Sequence, residues 1–188
     1  MPRIGPLPET DWDDELRPIL GAELAGVGVR LGENNIFATL ARHKDLFKAW
    51  LPFGGFLLGA GVLGAREREL LILRTGYNCG SDYEWGQHVR IAQAIGIDDA
   101  EIARVAQGPD ADGFSDSDSA LLRAADELHA HSKIAAATWA TLSAHYDDRA
   151  LIEITIVVGH YHLVAFALNS LEVELDPGLT GLPDGLGV

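Results

Sequence analysis

Apolar residues recur along this chain with the period of an α-helix, and no segment alternates between apolar and polar residues for long enough to predict a strand. A chain without strands buries its apolar surface only by packing helices on one another. The pattern therefore predicts an all-α protein. The predicted helices cover residues 11–24, 43–58, 65–77, 82–95, 99–106, 138–146 and 149–171, with one more starting at Ser115 or Ser117 and another capped by Asn34 or Asn35.

Proline and glycine mark both ends of the chain. Pro2, Pro6 and Pro8 block a regular helix in residues 1–9, which we expect to form an extended arm over a surface or a neighbouring subunit. Residues 177–188 are rich in proline and glycine and predict a coil. The 188 residues fit one domain with a continuous core, and Thr10 is the expected cap of the first helix.

The charge balance limits the partners. Fourteen Lys and Arg residues against 28 Asp and Glu give a formal net charge of −14, which repels nucleic acid and anionic membrane surfaces. An anionic ligand would need local cations, for which the candidates are Arg66, Arg68, Arg74 and Arg90. We expect a small-molecule substrate.

The location is predicted from what the sequence lacks. The first ten residues contain no apolar run of the signal-peptide kind, and the weakly charged stretch 154–169 is shorter than the roughly 20 residues that a bilayer demands. The single cysteine, Cys79, excludes an internal disulfide and an all-cysteine metal site. We expect a cytoplasmic protein, with 154–169 as a buried helix.

Three ionisable residues lie on faces that should be apolar. At about 100° per residue, Glu84 and His88 fall on the same stripe as Ile91 and Ile95, and Glu69 falls among apolar residues of the preceding helix. Glu84 and His88 are four residues apart, close enough for a hydrogen bond that would hold the imidazole. If the two helices pack as a hairpin, these groups converge in one apolar pocket, where burial moves carboxyl pKa values toward neutrality.

Structural explanations exist for each of these residues. Ser81 and Glu84 have the spacing of a capping box, and a lone histidine on an apolar face is more often a satisfied core residue. Cys79 is either a small buried residue or a thiol whose pKa is lowered at a helix N-terminus. Trp85 is first a packing residue, although an aromatic ring beside the pocket is also a candidate substrate contact.

The remaining histidines come in two pairs. His129 and His131 are two residues apart, as are His160 and His162, so the members of each pair point to different helix faces. This spacing argues against a metal site. His160 or His162 is expected to line the pocket, and we take His162, Arg66 and Trp85 as the candidate substrate-binding residues.

The segments ERELLILRTGYNCGSDYEWGQHVRIA and ALIEITIVVGHYHLVAFALNSLEVELDP resemble the carboxymuconolactone decarboxylase family, which includes the alkylhydroperoxidase D (AhpD) proteins. The resemblance covers roughly residues 35–177. It implies an AhpD-like helical bundle that associates as a homo-oligomer, a trimer or a hexamer. The long apolar helix over 149–171 suits burial between subunits.

The resemblance also implies the chemistry. In the hydroperoxidase branch, a CxxC pair would fall at Ser81 and Glu84, so both redox positions are lost and thiol peroxidase activity is not expected. In the decarboxylase branch, a glutamate and a histidine occupy the places of Glu84 and His88. This implies a lyase or isomerase without cofactor or metal, acting on a small lactone or carbonyl acid, with His88 as proton donor, Glu84 as its orienting partner and Glu69 as a second acid or base.

The sequence is also compatible with two other functions. One is a thiol redox protein that uses Cys79 with an external thiol, and the other is a binding protein without catalytic activity.

Overall fold

A computed structural model describes residues 1–23 and 29–183. Within these ranges the regular structure consists of nine α-helices and two 3-10 turns, without a strand, so the all-α prediction is confirmed. The helices are α1 (Leu16–Leu20), α2 (Asn35–Leu40), α3 (Lys44–Gly59), α4 (Ala65–Asn78), α5 (Asp82–Ala94), α6 (Asp99–Gln107), α7 (Asp116–His131), α8 (Ala136–His145) and α9 (Asp148–Leu171). From α3 onward, most of their ends lie within one or two residues of the predicted ones.

The first helix differs most from its prediction. The sequence predicts one helix over residues 11–24 capped by Thr10, but α1 has only five residues. Asp13 is the reason, because its side chain accepts a hydrogen bond from the backbone N–H of Leu16 at 2.9 Å and so sets where the helix begins. The predicted end, Leu24, lies outside the described residues.

Helices α4 and α5 form a hairpin at the centre of the bundle. The turn between them contains Gly80 at φ +59°, a left-handed conformation that glycine adopts without steric cost. Helix α4 packs against α5, α6, α7 and α9, and its residues 70–73 are completely buried. The side chains that α5 directs toward α4 therefore lie deep in the protein.

Helix α9 is long and apolar enough to cross a membrane by length and composition alone. However, 56% of its apolar window is buried against the rest of the bundle, as is usual for the core helix of a soluble protein. Its other face exposes Ile152, Ile156, Leu163 and Phe166. An exposed apolar stripe of this kind suits a subunit interface, and the homo-oligomer stays a prediction.

The N-terminal arm packs against its own chain. The backbone N–H of Arg3 donates to the carbonyl of Leu171 at 2.9 Å, and that of Leu7 donates to Ala38 at 3.0 Å. The arm therefore covers the bundle beside α2 and the end of α9. Residues 177–183 of the predicted C-terminal coil form no helix, and residues 184–188 lie outside the described part of the chain.

One buried carboxylate fixes the loop that leads into the hairpin. Glu153 on α9 accepts hydrogen bonds from the backbone N–H groups of Val62 and Leu63, at 2.8 and 3.0 Å. A Cβ at position 61 would meet the Glu153 carboxyl group and push it away from its two donors, so the glycine leaves room for this contact. Helix α9 thus anchors the start of α4 through a single side chain.

We expect Glu153→Ala to lower the free energy of unfolding by about 2–4 kcal/mol, because two backbone donors lose a charged acceptor in a buried place. Urea unfolding measures this loss. The matched control is Arg149→Ala, an exposed position on the same helix, which should change stability by no more than about 0.5 kcal/mol. Equal effects of the two substitutions would contradict the anchoring role.

Candidate active site

A cavity of about 140 Å³ lies between α3, α5 and α9, closed at one end by α2. Its volume is close to the roughly 150 Å³ of a protein cavity that holds benzene. Most of its wall is apolar. The apolar side chains in the wall include Ile36, Phe37, Leu51, Leu58, Val164 and Leu168.

Several buried polar atoms at the cavity have no hydrogen-bond partner among the described residues. They are both carboxyl oxygens of Glu84 and the indole Nε1 of Trp50. Nearly all buried polar groups in folded proteins are paired, so groups left unpaired beside a cavity are expected to bond to water or to a ligand. A small apolar cavity with a few such groups has the character of a ligand site.

Glu84 is an acid in an apolar place. Only 2% of the residue is exposed, and burial raises its pKa well above the ordinary glutamate value. Burial therefore favours the neutral carboxylic acid, which has one O–H to donate.

His88 is held by the other buried glutamate. Its Nδ1 lies 2.7 Å from Oε2 of Glu69, a residue with no exposed surface, whose Oε1 accepts a 3.4 Å hydrogen bond from Arg68. With Glu69 ionised, the hydrogen lies on Nδ1, and a neutral ring then carries its lone pair on Nε2. No hydrogen bond from Nε2 to the described residues is formed. The ring packs edge-on against Tyr161, with 5.0 Å between centroids.

The prediction of a hydrogen bond between Glu84 and His88 is wrong. The packing of α4 against α5 brings Glu69 to the imidazole, and Glu84 bonds to nothing. The alternative capping box is absent too, because the Ser81 hydroxyl is buried without a partner and does not cap α5. Glu69 is thus the orienting partner, and Glu84 faces the cavity as an independent acid.

None of the three predicted substrate-binding residues lines the cavity. Arg66 bonds Asp118 at 2.7 Å, and Trp85 packs on Tyr77 in the core beneath α5. The Nδ1 of His162 bonds to the carbonyl of its own helix four residues earlier. Spacing along a helix gave their approximate face, but the neighbouring helices decide which side chains border a cavity.

His160, the other histidine considered for this role, does line the cavity. Its ring stacks on Trp50 with centroids 5.9 Å apart and planes within 10°. Burial lowers the pKa of His160, so the ring is neutral at pH 7. A Cβ at Gly54 would lie 3.3 Å from His160 Nε2, so the glycine allows α3 to approach this ring closely.

A hydrogen-bond network that the sequence did not indicate supports the end of the cavity near α2. The hydroxyl of Tyr83 donates to Asp176 at 2.6 Å, and the other oxygen of Asp176 accepts from the N–H of Asn35 at 2.8 Å. Asp176 is 93 residues from Tyr83 in the sequence, so no local pattern could have indicated the contact.

No lysine or arginine within residues 1–23 and 29–183 lines the cavity. Of the predicted anion-binding candidates, Arg68 donates to Glu69, Arg74 donates to Asp126, and Arg90 donates to the side-chain amide oxygen of Gln87. A carboxylate entering the cavity would therefore meet no cationic side chain of the described residues, in an apolar surrounding where an unpaired charge is costly.

Cys79 is not part of this site. It lies outside the cavity wall, and burial raises the pKa of its thiol to about 12. The lowered pKa considered for this thiol is wrong, because Cys79 ends α4 and does not begin a helix. The thiol redox function loses its support.

Residues 44–127 match the family model of the carboxymuconolactone decarboxylase family. This region belongs to that family. The family region contains Glu69, Glu84 and His88 on α4 and α5, while the residues of α9 at the cavity follow it in sequence. A comparison with curated proteins found no significant match.

Solved structures of the AhpD type share the fold. A Cys-to-Ala variant of the debrominase Bmp8 in complex with 2,3,4-tribromopyrrole superimposes with a TM-score of 0.78 at 14% identity, over 93% of this chain and 91% of the other. An uncharacterized peroxidase-related protein from Ralstonia eutropha JMP134 with an alkylhydroperoxidase AhpD core gives 0.69 at 20% identity, over 93% of both chains. A protein of unknown function from Agrobacterium tumefaciens, assigned to AhpD antioxidant defence, gives 0.67 at 20% identity, over 72% of this chain and 94% of the other. The predicted AhpD-like bundle is confirmed.

We expect the buried acid to make stability depend on pH. A carboxyl whose pKa is raised on folding keeps its proton in the folded state while the unfolded chain loses it, so stability falls as pH rises above the unfolded pKa. Glu84→Gln removes this loss. The free energy of unfolding of the wild type should fall relative to that of Glu84→Gln by up to about 1.4 kcal/mol per pH unit between pH 5 and 7.

Urea unfolding at pH 5, 6 and 7 measures the difference. Glu23→Gln, at an exposed position, is the control and should give a difference that does not change with pH. A pH-independent difference for Glu84→Gln as well would show that Glu84 is ionised in the folded protein.

Proposed function

We propose that this protein is a cofactor-free acid–base enzyme that shifts a proton on a small, uncharged carbonyl compound such as a lactone. The observation that carries the proposal is a protonated Glu84 and a Glu69-oriented His88 bordering the same apolar cavity. The two groups come from successive turns of α5, where side chains four residues apart lie about 5–6 Å apart at their Cβ atoms. Both groups can therefore reach one small molecule in the cavity.

The two groups have complementary roles in the proposed reaction. Nε2 of His88 accepts a proton from the carbon next to the carbonyl, and the electron pair of that C–H bond becomes the C=C bond of an enol. The Glu84 O–H gives its proton to the carbonyl oxygen as charge develops there. Return of a proton to a different carbon and of the enol proton to Glu84 gives the isomer and restores both groups. No electrons leave the substrate, so the shift needs no redox cofactor.

The lack of a cationic side chain among the described residues of the cavity wall favours one of the two reactions that the family resemblance implies. Decarboxylation of a carbonyl acid starts from a carboxylate, and a carboxylate here would be buried without a cationic partner among the described residues. An uncharged substrate has no such cost. We therefore favour an isomerase or a lactone-directed lyase over a decarboxylase.

The size of the cavity limits the substrate to about one ring. Its 140 Å³ holds a five- or six-membered ring with few substituents. The similarity of the fold to that of the debrominase complex agrees with this size, since the ligand in that complex, 2,3,4-tribromopyrrole, is also a single substituted ring.

The test is proton exchange measured by ¹H NMR in D₂O, with a panel of uncharged five- and six-membered lactones and cyclic ketones and the carboxylated analogue of each. We expect the enzyme to exchange the proton next to the carbonyl in uncharged members and to prefer them to their analogues. His88→Ala and Glu84→Gln should each lower the rate by about 10²–10⁴-fold. His145→Ala, an exposed histidine at the end of α8, should leave it unchanged.

The rate should also fall as the pH rises through the raised pKa of Glu84, because the acid then loses the proton that it donates. If the compounds bind but their proton-exchange rate is no higher than with the two variants, the protein is a binding protein and not an enzyme for these compounds. A preference for the carboxylated analogues would contradict the assignment of an uncharged substrate.

A further inference from the structure

A second group of side chains able to bind a metal lies outside the cavity. Cys79 ends α4, His129 lies in the last turn of α7, and His162 is on α9. One ligand atom of each lies within 4.8 Å of the other two. Nδ1 of His129 is 3.0 Å from Nε2 of His162 and 4.0 Å from the sulfur of Cys79. Three separate helices thus bring one thiol and two imidazoles together.

We propose that Cys79, His129 and His162 form a binding site for a zinc-type divalent cation, with a fourth position open to solvent. Zinc takes cysteine sulfur at about 2.3 Å and histidine nitrogen at about 2.0–2.1 Å in a tetrahedron, which places neighbouring ligand atoms about 3.3–3.6 Å apart. The observed separations of 3.0 and 4.0 Å lie on either side of that spacing. Small side-chain rotations are enough to close the site.

His162 is already oriented as a ligand. Its Nδ1 lies 2.8 Å from the carbonyl oxygen of Val158, and because a carbonyl only accepts, Nδ1 carries the hydrogen. The lone pair is therefore on Nε2, the atom that faces the cluster. Metal-binding histidines usually have their other ring nitrogen held by an oxygen in this way.

The hydrogen bond between the two histidines follows from this tautomer. Since Nε2 of His162 has only a lone pair, Nδ1 of His129 donates to it. A cation would replace that hydrogen: His129 changes tautomer, carries its hydrogen on Nε2, and presents Nδ1 to the metal. His129 is exposed while Cys79 and His162 are half-buried, so solvent reaches the site and can supply a fourth ligand.

The surroundings hold the site without opposing a cation. The side-chain amide of Asn169 donates to the backbone carbonyl of Cys79 at 2.8 Å, which ties the end of α4 to α9. Arg74 and Asp126, two charged groups that act on His129, neutralise each other through a 2.6 Å hydrogen bond. Phe166 packs edge-on against His162, so one side of the cluster is apolar.

The proposed site differs from the prediction that the histidine pairs bind no metal. Within each pair the two histidines do point to different faces, as the spacing indicates. Nevertheless, His129 of the first pair lies beside His162 of the second pair, which is on a neighbouring helix. The third ligand is the single cysteine, Cys79. None of the three lines the cavity, so the site is separate from the proposed acid–base chemistry.

The experiment is zinc titration by isothermal calorimetry of untagged, chelator-treated protein, with Co²⁺ as a spectroscopic probe of the thiolate. We expect one Zn²⁺ per chain. Cys79→Ser, His129→Ala and His162→Ala should each weaken zinc affinity by at least about 100-fold, and the Co²⁺–thiolate charge-transfer band should be lost in Cys79→Ser. His131→Ala, an exposed histidine of the same helix α7, is the matched control and should keep both.

Circular dichroism of each variant excludes unfolding as the cause, and the exposed position of His129 makes His129→Ala the least disruptive of the three. No stoichiometric zinc binding by the wild type would overturn the proposal. So would an equal affinity in the three ligand variants and His131→Ala, because zinc would then be held by scattered surface histidines.

Discussion

The hydrogen bond between Glu69 on α4 and His88 on α5 is the contact on which the rest of the site depends. It joins the two helices of the central hairpin inside the protein, where Glu69 is completely buried. It fixes the rotation of the imidazole and assigns the hydrogen to Nδ1, so the other ring nitrogen is the one left for a ligand. It also takes the only buried histidine of α5 away from Glu84, which then has no partner.

Two glutamates on one hairpin therefore have opposite environments. Glu69 is compensated by His88 and Arg68, while neither carboxyl oxygen of Glu84 has a hydrogen-bond donor in the described part of the chain. Burial without compensation raises the pKa of Glu84 and keeps it a proton donor. Active sites commonly assign acid and base roles to carboxyl groups whose pKa values are moved apart by different surroundings. The nearby Tyr161 also keeps its proton, because burial and the charge of Glu69 raise its pKa.

The sequence predicted the helices and the unusual placement of three ionisable residues, because both follow from periodicity within single segments. The hydrogen-bond partner of His88 could not be predicted in this way. A spacing of four residues shows which side chains can meet on one helix, but it does not show which side chain a neighbouring helix brings to them. The same limit explains Arg66, Trp85 and His162, whose faces were approximately right but whose contacts are made elsewhere. Asp176 and the cluster at Cys79 depend on contacts between residues 33 to 141 positions apart in sequence, which no local pattern indicates.

The most direct test of this account is a crystal structure of the protein with an uncharged five-membered lactone. The account predicts the ring in the cavity between α3, α5 and α9. Its carbonyl oxygen should lie within hydrogen-bond reach of Glu84, about 2.6–3.2 Å, and a carbon next to the carbonyl should face Nε2 of His88. A lactone bound outside the cavity, or bound with Glu84 and His88 both turned away from it, would contradict the assignment of these two residues as acid and base.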